Sequence, residues 1–165
     1  MTPAMVRWQK ARLEAAGLDW HAHPEWPVLR LADGGGIYQP VPDTGSTGVF
    51  FLRHGPGAEL DGYVAALGDA LTQARVLREE DALVGGRPGR MVEVALETAA
   101  HGVYHAQEDG GPVDETVPPT STRIHVVGAT SPGGAPVLVG YRVPADVPSA
   151  IEKLLRDMVS QVSFS

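Results

Sequence analysis

The sequence predicts an α+β fold, in which an antiparallel sheet built from hairpins is combined with helices near the start, the middle and the end of the chain. Apolar and polar residues alternate over 92–97, 123–126 and 137–143, which is typical of strands with one buried face. The last two segments are separated by the short turn Ser131-Pro132-Gly133-Gly134 and should form a hairpin. Apolar residues at helical spacing occur elsewhere, without the strand–helix alternation of a parallel sheet.

The first part of the chain should contain one helix and three extended pieces. Thr2-Pro3 favours a helix start and Gly17 favours a helix stop, which predicts an N-terminal helix over 3–16 that leads into the domain. Two extended pieces are expected within 18–32, broken by prolines, and a third strand at 37–41.

A strand at 49–53 and a second helix at 59–74 should follow. Gly62 and Gly68 weaken this helix by roughly 1 kcal/mol each relative to alanine, so packing has to hold it. The apolar stripe that predicts the helix has the spacing of one helical face and consists of Leu60, Val64, Leu67 and Leu71.

In the second half, 85–90 is glycine-rich but no helix follows it, which favours a hairpin turn over a phosphate-binding loop. The segment 111–121 contains three prolines and predicts a long exposed loop between strands. A closing helix is expected over 147–162, where Ser149 and Glu152 have the spacing of a capping box.

Composition narrows the function classes. A chain of 165 residues with 43% hydrophobic and 20% charged residues is most simply one globular domain, 1–165. The net charge is −7 and the 13 basic residues are scattered, which argues against nucleic acid or a membrane surface as a partner. The absence of cysteine excludes disulfides, thiolate zinc sites and cysteine nucleophiles, and no motif indicates a cofactor.

The stretch Asp19-Trp20-His21-Ala22-His23-Pro24-Glu25-Trp26 is a candidate metal site. His21 and His23 would share a face of an extended strand, where imidazoles two residues apart can ligate one ion. Glu25 lies beyond Pro24, so a third ligand would have to come from His101, His105, His125 or an acid elsewhere. The simpler interpretation is a strand that carries histidine on its surface, with Pro24 and Trp26 structural.

The strand that ends in Arg53-His54-Gly55 resembles the signature of the histidine phosphatase superfamily. That resemblance implies His54 as the nucleophile, Arg53 as a phosphate clamp and His101 as the second histidine. Three features oppose it: 49 residues precede the strand that carries the motif, Pro56-Gly57 follows it, and the hairpin pattern contradicts the parallel sheet of that family. It is therefore kept as an alternative.

Three short motifs resemble the PsbP-like family, whose bacterial members include the DcrB-type proteins. They are Pro24-Glu25-Trp26, the turn Gly86-Arg87-Pro88-Gly89, and the closing Val162-Ser163-Phe164. The resemblance extends from Leu18 to Ser165 and implies an α/β/α sandwich around a mostly antiparallel sheet. It also implies a family of binding proteins, adaptors and chaperones that has no shared catalytic set.

These observations predict a non-enzymatic binding domain with a protein partner, and homodimerisation is a further option. The contact surface would be an exposed sheet face or the loop 110–122, within the acidic, Pro- and Gly-rich segment 108–122. The lack of an apolar leader, together with the lack of cysteine, favours the cytoplasm. The 11 arginines against 2 lysines suggest a bacterial source with a GC-rich genome.

Overall fold

The structure is a computed structural model that describes residues 9–32, 34–42, 44, 48–106 and 112–165. Its α-helices in this part are α1, Leu60–Ala65, and α2, Ser149–Ser160. Its strands are β1 Gln9–Leu13, β2 Leu18–Ala22, β3 Leu29–Arg30, β4 Gly36–Pro40, β5 Val49–His54, β6 Thr72–Val84, β7 Arg87–Thr98, β8 His101–Ala106, β9 Pro112–Val117, β10 Thr120–Thr130, β11 Pro136–Pro144 and β12 Ser163–Phe164.

The central sheet has seven strands in the order β3-β4-β5-β11-β10-β7-β6, and every neighbouring pair is antiparallel. The predicted hairpin turn at 85–90 is confirmed, because Val84 pairs with Arg87 across a two-residue loop. Gly85 and Gly86 have φ values of 56° and 83°, the left-handed conformation that tight hairpins require and that glycine adopts without strain. The predicted hairpin of β10 and β11 is also confirmed.

Other elements pack on both faces of this sheet, which agrees with the predicted α+β fold. The small sheet β1-β2-β12 and helix α2 pack on one face, where Trp20, Leu155 and Tyr141 are buried together. Helix α1 packs on the other face, over Phe51 and Leu138. Neither helix in the described part of the chain has the length and apolar character that a membrane-spanning helix needs.

The predicted N-terminal helix is wrong for the residues that the structure describes. Residues 9–13 form β1, which pairs with β2, and Glu14–Ala16 form a single 3-10 turn. Leu13 is buried in the core, and pairing with β2 satisfies the β1 backbone, so tertiary contacts override the local helical preference. Gly17 does end the turn, with φ 61°, while 3–8 lie outside the described residues.

Helix α1 is shorter than the predicted 59–74. The Asp69 carboxylate accepts hydrogen bonds from the amides of Leu71 and Thr72, at 2.8 and 2.7 Å, and this turn sends the chain into β6. The side chain of Leu71 is consequently exposed instead of extending the apolar stripe of α1.

The predicted loop 111–121 is also largely wrong. Its backbone forms β9, which pairs with β8 in a separate two-stranded sheet, and only Pro118-Pro119 connect β9 to β10. Proline repetition suggested an irregular loop, but prolines are tolerated at strand ends and between strands. Residues 107–111 lie outside the described part.

Candidate functional site

One half of the central sheet is left uncovered on the side that faces α2. Helix α2 packs mainly on β11, whose residues are nearly all buried, whereas most of β6 is exposed. On β7, the residues between the buried Val92, Val94 and Leu96 point to the α2 side. We call the uncovered surface the open face, and it is formed by Gln73, Arg75, Ala95 and Glu97.

The open face is a groove with polar walls. Its four residues line a cavity of about 250 Å³. Gln73 and Glu97 also line a wider cavity of about 520 Å³ at the end of the sheet, together with Asp69 and Ser121. Within the described part of the chain, neither Arg75 nor Glu97 forms an ion pair or a hydrogen bond through its side chain. The groove therefore presents charges of both signs that no described residue neutralises.

Beside the open face, four side chains form a row across four strands, which we call the polar row: Arg78, Glu93, His125 and Tyr141. They are direct register partners on β6, β7, β10 and β11. Arg78 donates to Glu93 at 2.8 Å, and the Nδ1 atom of His125 lies 3.1 Å from the same carboxylate oxygen. The His125 and Tyr141 rings stack with their centroids 5.1 Å apart.

Helix α2 closes the row through Glu152. The Tyr141 hydroxyl donates to this carboxylate at 3.0 Å, and Arg123 donates two hydrogen bonds to it, at 2.8 and 3.1 Å. The predicted capping box is therefore wrong: Pro148 occupies the cap position and Ser149 is the first helical residue, so Glu152 is free to face the sheet.

The charges in this cluster are fixed by their surroundings. Burial lowers the pKa of His125, and the hydrogen bond and charge of Glu93 offset only part of that effect. Burial, followed by the nearby charge of Glu152, raises the pKa of the Tyr141 hydroxyl far above its ordinary value. Burial alone would raise the pKa of Glu93, but His125 and Arg78 reverse this and lower it. At neutral pH the row therefore contains a neutral imidazole, a protonated phenol and an ionised carboxylate.

This arrangement suits a structural role better than catalysis. A cavity of about 10 Å³ adjoins Glu93, His125 and Tyr141, which is room for about one water molecule. A substrate needs a much larger concave site. In addition, the carboxylates of Glu93 and Glu152 already accept hydrogen bonds from other side chains of this chain, so they are not available to bind a substrate. It joins α2 to the sheet along the border of the open face.

The structure does not bring the phosphatase candidates together. His54 ends β5 and aligns across the sheet with Gly89 at the start of β7, while its Nε2 atom lies 3.0 Å from the carbonyl oxygen of Gly34. From Gly89, β7 runs roughly 30 Å to Thr98 before His101 begins β8. Arg53 precedes His54 in the strand and so faces the opposite side of the sheet, toward α1.

The metal candidates lie on and just after β2. Within the described residues, the Nδ1 atom of His21 is buried and has no hydrogen-bond partner. His23 follows the end of β2, stacks on Trp26 with ring centroids 4.7 Å apart, and accepts a hydrogen bond at Nδ1 from the Glu25 amide. In the part of the chain that the structure covers, no group of three or more His, Asp or Glu side chains could hold a metal ion.

Sequence reasoning missed both the open face and the polar row. The start of β6 was assigned to the predicted helix 59–74. The charged residues 78–81 show no alternation of apolar and polar positions, because both faces of an edge strand can be exposed to solvent. A signal did exist on the neighbouring strands. Glu93 and His125 occupy the polar positions of two alternating segments, so antiparallel pairing of these segments would place both side chains on one face.

Comparison with known proteins identifies the fold class. No family model and no curated protein matches the chain in sequence. In structure, it is similar to cyanobacterial PsbP (CyanoP) from Synechocystis sp. PCC 6803, with a TM-score of 0.60, 10% identity, and coverage of 100% of this chain and 97% of that one. It is also similar to the Ran-binding protein Mog1p of Saccharomyces cerevisiae, with a TM-score of 0.53, 12% identity, and coverage of 96% and 95%.

A mutant form of Mog1 gives nearly the same result, with a TM-score of 0.52, 11% identity and 96% coverage of both chains. These similarities span essentially whole chains on both sides. The chain therefore has a PsbP-like fold, as the three sequence motifs predicted. At such low identity the comparison establishes the fold and leaves the role to be argued from the surface.

Proposed function

We propose that this chain is a non-enzymatic protein-binding domain, of adaptor or chaperone type, and that its open face receives the partner. The single observation that carries the proposal is the groove of the open face, where Arg75 and Glu97 stand exposed with no charge partner in the described part of the chain. Charges of both signs at an interface favour a matching polar protein surface over a membrane or a nucleic acid.

Two further points support this proposal. One protein of the same fold is named as Ran-binding, so the fold is compatible with binding a protein. The polar row adds rigidity where a binding surface needs it, because hydrogen bonds from four strands and α2 hold the border of the groove. We assign no catalytic residue, no cofactor and no metal, and the alternative of a phosphohydrolase using His54 is tested by phosphomonoester turnover in wild type and His54→Ala.

We also propose a cytoplasmic location in a bacterium. The support is compositional: the chain lacks cysteine and has 11 arginines against 2 lysines. Fractionation of the native host with an antibody against the protein tests the location.

The binding proposal is tested by affinity capture from a native lysate with three versions of the immobilised protein. They are wild type, Glu97→Arg on the open face, and Glu25→Arg, the same substitution at an exposed position outside the central sheet. We expect a retained protein whose recovery falls about tenfold with Glu97→Arg, the equivalent of ~1.4 kcal/mol, and is unchanged with Glu25→Arg. Equal recovery by all three versions would contradict binding at the open face.

A further inference from the structure

In the part of the chain that the structure describes, the outer edge of the central sheet is a long strand, β6, with one side unpaired. Strand β6 has 13 residues, and β7 is its only sheet neighbour among the described residues. The opposite edge is β3, which has only two residues. An edge strand presents a row of backbone donors and acceptors that another strand can pair with. At its centre, Val76 and Leu77 are 48% and 45% exposed, so apolar surface accompanies the free backbone.

The charges along β6 are separated by sign. Arg75 lies in its first half and Arg78 at its middle, whereas Glu79, Glu80 and Asp81 all lie in its second half. When a strand pairs antiparallel with its own copy, the first half of each strand faces the second half of the other. Opposite charges then meet across the new ladder, whereas a parallel pairing would set like charges together. The edge of this chain is therefore complementary to itself.

A bulge in β6 makes this complementarity work on one face. The register shifts between Val76 and Arg78, with the result that Arg75 pairs with Ala95 and Glu80 pairs with Met91. Ala95 and Met91 are four residues apart on β7, so Arg75 and Glu80 point to the same side of the sheet although five positions separate them. In an antiparallel register that sets Arg75 opposite Glu80 of the second copy, both symmetry-related pairs form on the α2 side.

Arg75 and Glu80 are also available for such pairs. Arg78 and Glu79 are already used within the chain, at 2.8 Å from Glu93 and 3.7 Å from Arg90. Glu80 has only a distant contact, 3.9 Å from Arg78, and Arg75 has no ion pair in the described part.

We propose that β6 pairs antiparallel with β6 of a second copy of this chain, through reciprocal Arg75–Glu80 ion pairs on either side of a twofold axis that passes between Leu77 and Arg78. The two seven-stranded sheets become one continuous sheet with a twofold axis at its middle. The two open faces then lie side by side, so a dimeric partner could engage both. In this dimer Arg75 is neutralised by Glu80 of the second copy, and Glu97 is the open-face charge that stays available to a partner. The inference therefore goes beyond the proposed function and does not depend on which protein the open face binds.

Sedimentation velocity over a concentration series, with a charge swap, tests the pairing. We expect wild type to dimerise reversibly, and Arg75→Glu and Glu80→Arg each to weaken dimerisation about tenfold or more, because like charges then face each other. An equimolar mixture of the two variants should recover a heterodimer, detected by its intermediate mass in native mass spectrometry. Arg30→Glu, the same change on the opposite edge strand β3, should dimerise like wild type.

Wild type that stays monomeric at about 100 μM, where a specific dimer with a Kd in the micromolar range would be formed, overturns the proposal. So does a dimer that both charge variants leave unchanged, or a variant mixture that forms no heterodimer. Circular dichroism of each variant confirms that the exposed substitutions leave the fold intact. The capture experiment uses Glu97, which lies on β7, so failure of one proposal is distinguishable from failure of the other.

Discussion

The two halves of the central sheet are built from different kinds of sequence and have different surroundings. Strands β10 and β11 have apolar residues on both faces, with Val126, Val127, Leu138 and Val139 all nearly inaccessible to solvent. Strand β6 has the same antiparallel pairing, but its residues are charged or exposed along most of its length. The covered half holds the fold together, which leaves the other half free to carry a binding surface.

Paired substitutions of leucine should separate the two halves most strongly. Leu138→Ala removes a fully buried side chain between β5 and β10 and should lower the free energy of unfolding by about 3 kcal/mol. Leu83→Ala, on the exposed side of β6, should change it by less than about 0.5 kcal/mol. Urea unfolding of both variants measures the difference, and comparable losses would show that β6 is packed as tightly as β11.

A smaller effect is expected where the polar row meets α2. Glu152→Ala leaves the Tyr141 hydroxyl and the Arg123 guanidinium without their acceptor, so we expect a loss of about 2 kcal/mol. Asp157→Ala on the same helix removes only the ion pair with the exposed Lys153 and should cost about 0.5 kcal/mol or less. Thermal or urea unfolding checks both, and similar losses would mean that the row does not anchor α2.

The smallest expected effect is a pH dependence that originates in the row. Because burial lowers the pKa of His125 below its ordinary value of 6.5, the unfolded chain binds a proton there more readily than the folded chain. Burial of the neutral imidazole therefore costs no stability at a pH above 6.5, and the free energy of unfolding decreases as the pH falls below this value. His125→Gln should therefore lose less stability than wild type between about pH 7.5 and about pH 5.5. An equal loss in urea titrations of both proteins would remove His125 as the cause.

The same contrast explains how far the sequence could predict the molecule. The covered half was predictable because burial imposes a period: the alternation in 123–126 and 137–143 and the turn at Ser131–Gly134 predict β10 and β11. Strand β7 was predictable from its one buried face, which gives the alternation in 92–97. The open half carries no such period, since an edge strand that faces water on both sides tolerates any polar residue. The charged residues of β6 therefore did not indicate a strand, and the predicted helix 59–74 was extended into its first residues.

Short sequence motifs gave wrong predictions where a side chain forms its hydrogen bonds with residues that are distant in the sequence. Ser149 and Glu152 have the spacing of a capping box, yet Glu152 binds Arg123 and Tyr141, which are remote in sequence. Asp69 is the opposite case, because its partners are local. Its carboxylate accepts hydrogen bonds from the amides of Leu71 and Thr72, and this turn prevents the helix from continuing as far as the apolar spacing predicts. The open face could not be predicted, because the pairing of Arg75 with Ala95 depends on a β-bulge and no sequence pattern indicates where that bulge lies.

Amide hydrogen exchange, measured with and without the captured partner, tests the central claim most directly. Alone, the protein should exchange slowly in β10 and β11 and faster in β6. With the partner bound, new protection should appear in β6 and β7, over 72–84 and 87–98, and leave β4 and β5 unchanged. Protection confined to β4, β5 or α1 would contradict the account, because the partner would then bind the covered half of the sheet.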